Sequence, residues 1–100
     1  MLSNKIKNAL NEQIQKEAYA SNAYLSLATW CEEKNLDGIA EYFYAASADE
    51  RNHMLEIYKY LNTYGGSAHI KPLKDTVIKQ QNLLEVFNYV FELEHDVTIS

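Results

Sequence analysis

Ala48–Glu56, ADERNHMLE, is the stretch on which the fold turns. Glu50 and His53 stand three apart in a run without Gly or Pro whose apolar residues, Ile39, Phe43, Ala46, Ile57, Leu61 and Tyr64, recur at helical spacing. Advancing about 100° per residue places both within about 40° of the middle of that stripe. An acid and an imidazole on the apolar side of a helix need something to hold them there.

Working outward, residues 3–33 also lack Gly and Pro, and Ile6, Leu10, Ile14, Tyr24, Ala28 and Cys31 form a second helical stripe. Ser3 or Asn4 is its candidate N-cap. The interruption KNLDG, with Asp37 as candidate N-cap, leads into a second helix over about 38–64. Gly65 and Gly66 end it, supplying the left-handed backbone that follows a helix. A crossover of residues 65–81, with one proline and weak periodicity, is long enough to return the chain along a bundle. A third helix is expected over about 82–100, with Leu84, Phe87, Val90, Phe91 and Val97 on its apolar side. The fold class is therefore all-α, a four-helix bundle to which these residues contribute two long antiparallel helices, a crossover and part of a third helix. Their stripes need a fourth helix, from further sequence or from a partner chain.

Composition narrows the function classes. In 100 residues the net charge is −5, and Lys and Arg are scattered singly, which argues against a nucleic-acid partner. No apolar run approaches the ~20 residues that span a bilayer, so no membrane role is expected. A single cysteine, Cys31, cannot form an internal disulfide and fits a reducing, cytoplasmic setting.

A second Glu-x-x-His pair, Glu92 and His95, lies away from the stripe of its helix and is read as solvated. Glu17 and Glu94, by contrast, fall close to the middle of the first and third stripes. Counted from the KNLDG turn at ~1.5 Å per residue, Glu17 stands within about a turn of Glu50 and His53. Three carboxylates and an imidazole thus converge on one level. Each buried carboxylate costs several kcal/mol, and their repulsion adds to that. One buried Glu can reach water at a helix end and one core His can donate to a carbonyl, but four such groups together are harder to place. Lys5, Lys7, Lys16, Arg51 and Lys59 all sit at flanks or backs. What remains is protonation, water or a cation; a pair of divalent metal ions supplies the missing charge, and carboxylate with imidazole suits iron, manganese or zinc. Tyr24 can donate to a ligand carboxylate, relay an electron, or simply fill core. Asp49 can border an auxiliary metal position or be solvated. Trp30 and Tyr19, off the stripe, point to subunit contacts; Cys31 reads as core filling and His69 as solvated.

These residues resemble the ferritin family, specifically the haem-free bacterial ferritins. The likeness runs through NEQIQKE ending in Glu17, SNAYLSLATWC with Tyr24, LDG at the turn, Glu50-x-x-His53 and YVFELEH with Glu94. It implies a ferroxidase that oxidises Fe(II) with O2 at a di-iron site and stores Fe(III) mineral inside a shell of 24 subunits. Glu17 and His53 would hold one iron, Glu50 would bridge, and Glu94 would help hold the second. Bacterioferritin takes haem through a methionine between the Glu and the His; Arg51 and Asn52 stand there, so no haem is expected. Ferritin subunits are longer, and their fourth helix supplies further ligands, so the sequence matches the N-terminal portion of a subunit. A rubrerythrin-like or other di-iron redox bundle, and a helical assembly module without activity, are the competing expectations.

Overall fold

The computed structural model describes residues 1–98. Three helices, α1 (Asn4–Glu33), α2 (Asp37–Thr63) and α3 (Leu83–Thr98), make up its regular structure, and no strand occurs among the described residues. The last two positions of the expected third helix lie outside the described residues. The shape is a rod of 49 × 21 × 19 Å, its length set by the 30 residues of α1. No helix of the described residues is long and apolar enough to cross a membrane.

Each helix end has a local cause. Ser3 caps α1 by accepting from the Ile6 N–H at 3.2 Å. At the other end Asn35 takes the left-handed conformation (φ 58°) and the Leu36 N–H returns to the Cys31 carbonyl at 2.9 Å, a six-to-one closure that turns the chain directly into α2. The N-cap of α2 is Leu36, without a side-chain cap, and Asp37 falls in the first turn, where its charge favours the positive end of the helix dipole. At the end of α2, Gly65 has φ 92° and the Gly66 N–H meets the Leu61 carbonyl at 2.9 Å. Asn82 opens α3 by a reciprocal pair of bonds with Glu85, side chain to backbone and side chain to side chain, both 2.9 Å.

The crossover is laid along α1 by a ladder of polar side chains. Asn11 bonds Ser67 and His69, Gln15 bonds the backbone of Lys71 in both directions, Ser26 bonds Thr76, and Trp30 Nε1 donates to the Gln80 carbonyl at 3.0 Å. Trp30 is therefore buried beneath the crossover, not presented for subunit contacts. Because this segment travels in the same direction as α1, α3 begins near the end of α1 and runs back antiparallel to it, with α2 and α3 parallel.

The α1–α2 core has two apolar parts. One gathers Tyr24, Leu27, Ala28 and Cys31 with Ala40 and Phe43; the other holds Ile14, Ala18, Met54 and Leu61. Between them lies a polar layer of Glu17, Ser21, Ser47 and Glu50, all buried. α3 packs on α1 through Val86 and Leu93, so its buried face differs from the expected stripe. Leu84 and Phe91 remain exposed, and Phe87 reaches across to Phe43 with ring centroids 6.4 Å apart. The helix is apolar on two sides, and only the side toward α1 is covered.

Gly66 has no room for a side chain: an added Cβ would sit 2.2 Å from Leu61 Cδ1 and 3.1 Å from its carbonyl oxygen, and Leu61 is fully buried. Gly66→Ala should destabilise the fold by about 1–3 kcal/mol, whereas Asn35→Gly, which relieves a left-handed side chain, should leave stability unchanged or raise it slightly. Urea unfolding followed by circular dichroism distinguishes the two.

Candidate metal centre

Positions 40, 43, 47, 50, 54 and 61 form the buried face of α2, steps of three and four that place Glu50 on α1 as firmly as Phe43. The helices approach closely at this level because both present serines. The Ser21 and Ser47 hydroxyls lie 2.9 Å apart and each donates to the other's backbone carbonyl, at 3.0 and 2.8 Å. One turn away, Glu17 on α1 and Glu50 on α2 are 5% and 6% exposed.

Glu17, Glu50 and His53 each offer one ligand atom, and the three atoms lie within 4.8 Å of one another. His53 Nδ1 is 3.9 Å from Glu17 Oε2. Glu17 Oε1 accepts from Gln13 Nε2 at 3.0 Å, while Glu17 Oε2 and Glu50 Oε2 are buried with no hydrogen-bond partner. Neither carboxylate has a Lys or Arg partner among the described residues. Burial, and next the adjoining Glu17 carboxylate with Glu94 beyond it, push the Glu50 carboxyl up to about 9. Buried orphan oxygens beside an imidazole, with no built-in cation, are a donor set suited to a divalent first-row metal.

Glu94 comes from α3 onto the wall of a cavity of about 340 Å³ that Tyr24, Asp49, Glu50 and His53 also line. It stands outside the group of three and is steadied by the Tyr24 hydroxyl, which donates to Glu94 Oε1. Burial, and then this bond to Glu94, raise the Tyr24 phenol above its ordinary range, so it stays a donor. Asp49 is exposed at the cavity rim. The His53 side chain is 58% exposed, not enclosed by the apolar face as its position on the stripe suggests. Three residues on from Glu50 it points about 60° around α2, toward the side that α3 leaves open. Glu92 and His95 are both exposed. Sequence reasoning missed Gln13, Ser21, Ser47 and Tyr42. The signal for the first three was spacing: each lies three or four residues from Glu17 or Glu50, on the same face.

Residues 7–100 match the family model of the ferritin-like domain. Over 100 residues the chain is 37% identical to a bacterial non-heme ferritin of Campylobacter jejuni, covering all of this chain and 60% of that protein. It is 35% identical over 98 residues to a bacterial non-heme ferritin of Staphylococcus epidermidis, covering 98% of this chain and 59% of that one. Among solved structures, Chlorobium tepidum ferritin superposes with a TM-score of 0.94 at 28% identity, covering 98% of this chain and 60% of that chain. The chain thus spans about three fifths of the length of the relatives it matches. The sequence match, the three-helix architecture and the superposition agree: this chain belongs to the ferritin-like family.

Proposed function

We propose that the chain serves iron storage through ferroxidase activity, oxidising Fe(II) with O2 and passing Fe(III) to a mineral held in an oligomeric shell of 24 subunits. The observation that carries this reading is the convergence of Glu17, Glu50 and His53 ligand atoms, with two buried carboxylate oxygens left unpartnered. The setting is cytoplasmic, in keeping with a single, buried, free cysteine.

Fe(II) and O2 are the substrates. Glu17 and His53 hold one Fe(II), Glu50 lies between the two metal positions, and Glu94 faces the second; Asp49, at the rim, borders an auxiliary position. Two Fe(II) together give two electrons to one O2, which takes up two protons and leaves as hydrogen peroxide, and the two Fe(III) hydrolyse with release of protons as they pass to the mineral. The chain's own groups do the rest: they fix the ions and bring negative charge that favours the ferric product. Tyr24 holds Glu94 in place by its hydroxyl. The experiment is Fe(II) addition in air, following O2 consumption and ferric absorbance in the full oligomer. Glu50→Ala and His53→Ala should each slow the initial rate by about 10-fold or more, the scale on which single metal-site groups act. Rates equal to wild type in both would sink the proposal.

Glu50 also sets a pH dependence with a definite sign. Its folded value near 9 lies above the unfolded carboxylate value of 4.5, so between these the folded state holds more protons. Metal-free protein should therefore lose stability as pH rises from about 5 to 9, and Glu50→Gln should flatten that slope and raise the melting temperature at neutral pH by several degrees. Metal must displace the same proton. Zn(II) titration in weakly buffered solution at pH 7 should release a proton from Glu50 in the wild type and not in Glu50→Gln.

A further inference from the structure

Glu17 is oriented by a residue outside the ligand set. Gln13, one turn earlier on α1, donates from Nε2 to Glu17 Oε1 at 3.0 Å and to the Val97 main-chain carbonyl of α3 at 3.1 Å. Both neighbours are acceptors only, which fixes the amide with its NH2 toward them. The Gln13 Oε1 atom is left buried and unpartnered. Leucine or methionine would fill this volume with no orphaned oxygen, so packing alone does not account for an amide here. The effect on Glu17 is asymmetric. One oxygen takes an N–H anchored to another helix; the other, Oε2, is buried, takes no N–H, and lies 3.9 Å from His53 Nδ1 beside the Glu50 carboxyl.

We propose that Gln13 is the positioning residue that makes Glu17 a one-oxygen metal ligand, holding Oε1 against α3 and reserving Oε2 for the ion shared with His53. The proposal rests on the metal-binding reading above. The terminal torsion of a glutamate is broad and nearly two-fold, so an untethered Glu17 can turn either oxygen, or both, toward an ion. A charge-assisted N–H bond removes that freedom. It also couples the ligand on α1 to the position of α3 at Val97, about four turns along from the helix start that Asn82 fixes.

Co(II) reads both affinity and ligand arrangement. In the intact oligomer, the wild type should bind Co(II) with well-defined visible absorption. Gln13→Leu should bind it about 10- to 100-fold more weakly, as loss of a ligand's outer hydrogen-bond partner does. Its absorption should also weaken, because a two-oxygen carboxylate raises the coordination number. Wild-type affinity and spectrum in a folded Gln13→Leu would overturn the positioning role while leaving metal binding intact. Absence of Co(II) binding in the wild type would overturn both. Should Gln13→Leu not fold, infrared difference spectra of the wild type on adding Zn(II) decide instead. A widely split carboxylate pair that is lost in Glu17→Gln supports one-oxygen binding; a narrow splitting overturns it.

Discussion

Negative charge without a built-in counter-charge, placed between two helices, is the constraint to which the rest of the structure answers. Glu17 and Glu50 lie in a layer that two apolar regions sandwich, and the nearest basic group is an imidazole on an exposed rim. In such surroundings a carboxylate is costly as an anion, and a proton on Glu50 is the resting solution in the absence of metal. Under the proposed function a metal ion is the alternative solution, and it would compete with the proton for one oxygen, linking stability to binding at a single side chain.

The layer exists because α1 and α2 approach closely there, and they approach because Ser21 and Ser47 are small and satisfy one another. Larger side chains at either position would wedge the helices apart and draw Glu17 away from Glu50 and His53. Glu94 depends on a longer chain of causes. It reaches the cavity only because the crossover is carried the length of α1, so that α3 enters from the far end and runs back past Tyr24. The polar ladder of Asn11, Gln15, Ser26 and Trp30 holds that path. No local motif contains the site: its groups come from positions 17, 50, 53 and 94, brought to one level by helix register and by the route of a segment with no regular structure.

The all-helical architecture was legible because apolar spacing at three and four residues persists over long stretches without Gly or Pro, and because KNLDG and the paired glycines interrupt it sharply. The inward turn of Glu17 and Glu50 was legible by the same arithmetic. What spacing could not supply was the packing of α3. Apolar residues occupy two of its sides, so their spacing alone points to a face between the two; only the contact with α1 through Val86 and Leu93 separates the covered side from the open one. For the same reason His53 sits at a rim and Trp30 lies under the crossover. The bonds from Gln13 to Val97 and between the two serines were invisible for a different reason: their partners are 84 and 26 residues away on another helix, and only the Gln13–Glu17 contact, four residues apart on α1, left a trace in the spacing.

Phe87 and Phe91 on α3 and the imidazole of His53 on α2 are all exposed. Phe87 touches Phe43, the ring that stacks on Tyr24 with centroids 5.9 Å apart, and Tyr24 in turn holds Glu94. Phe91, 76% exposed as it stands, precedes Glu94 by three residues on α3, and Glu94 lines the cavity. Closing that cavity would remove water from His53 and Glu94 together, strengthening every charge interaction in it. Glu17 and Glu50 owe their burial to the α1–α2 pair, with Glu94 of α3 adding charge beside Glu50 and Val97 of α3 anchoring the amide that holds Glu17, whereas His53 keeps an open side. One half of the site is preorganised by this pair of helices; the other half takes its final character from the apolar surface beside it.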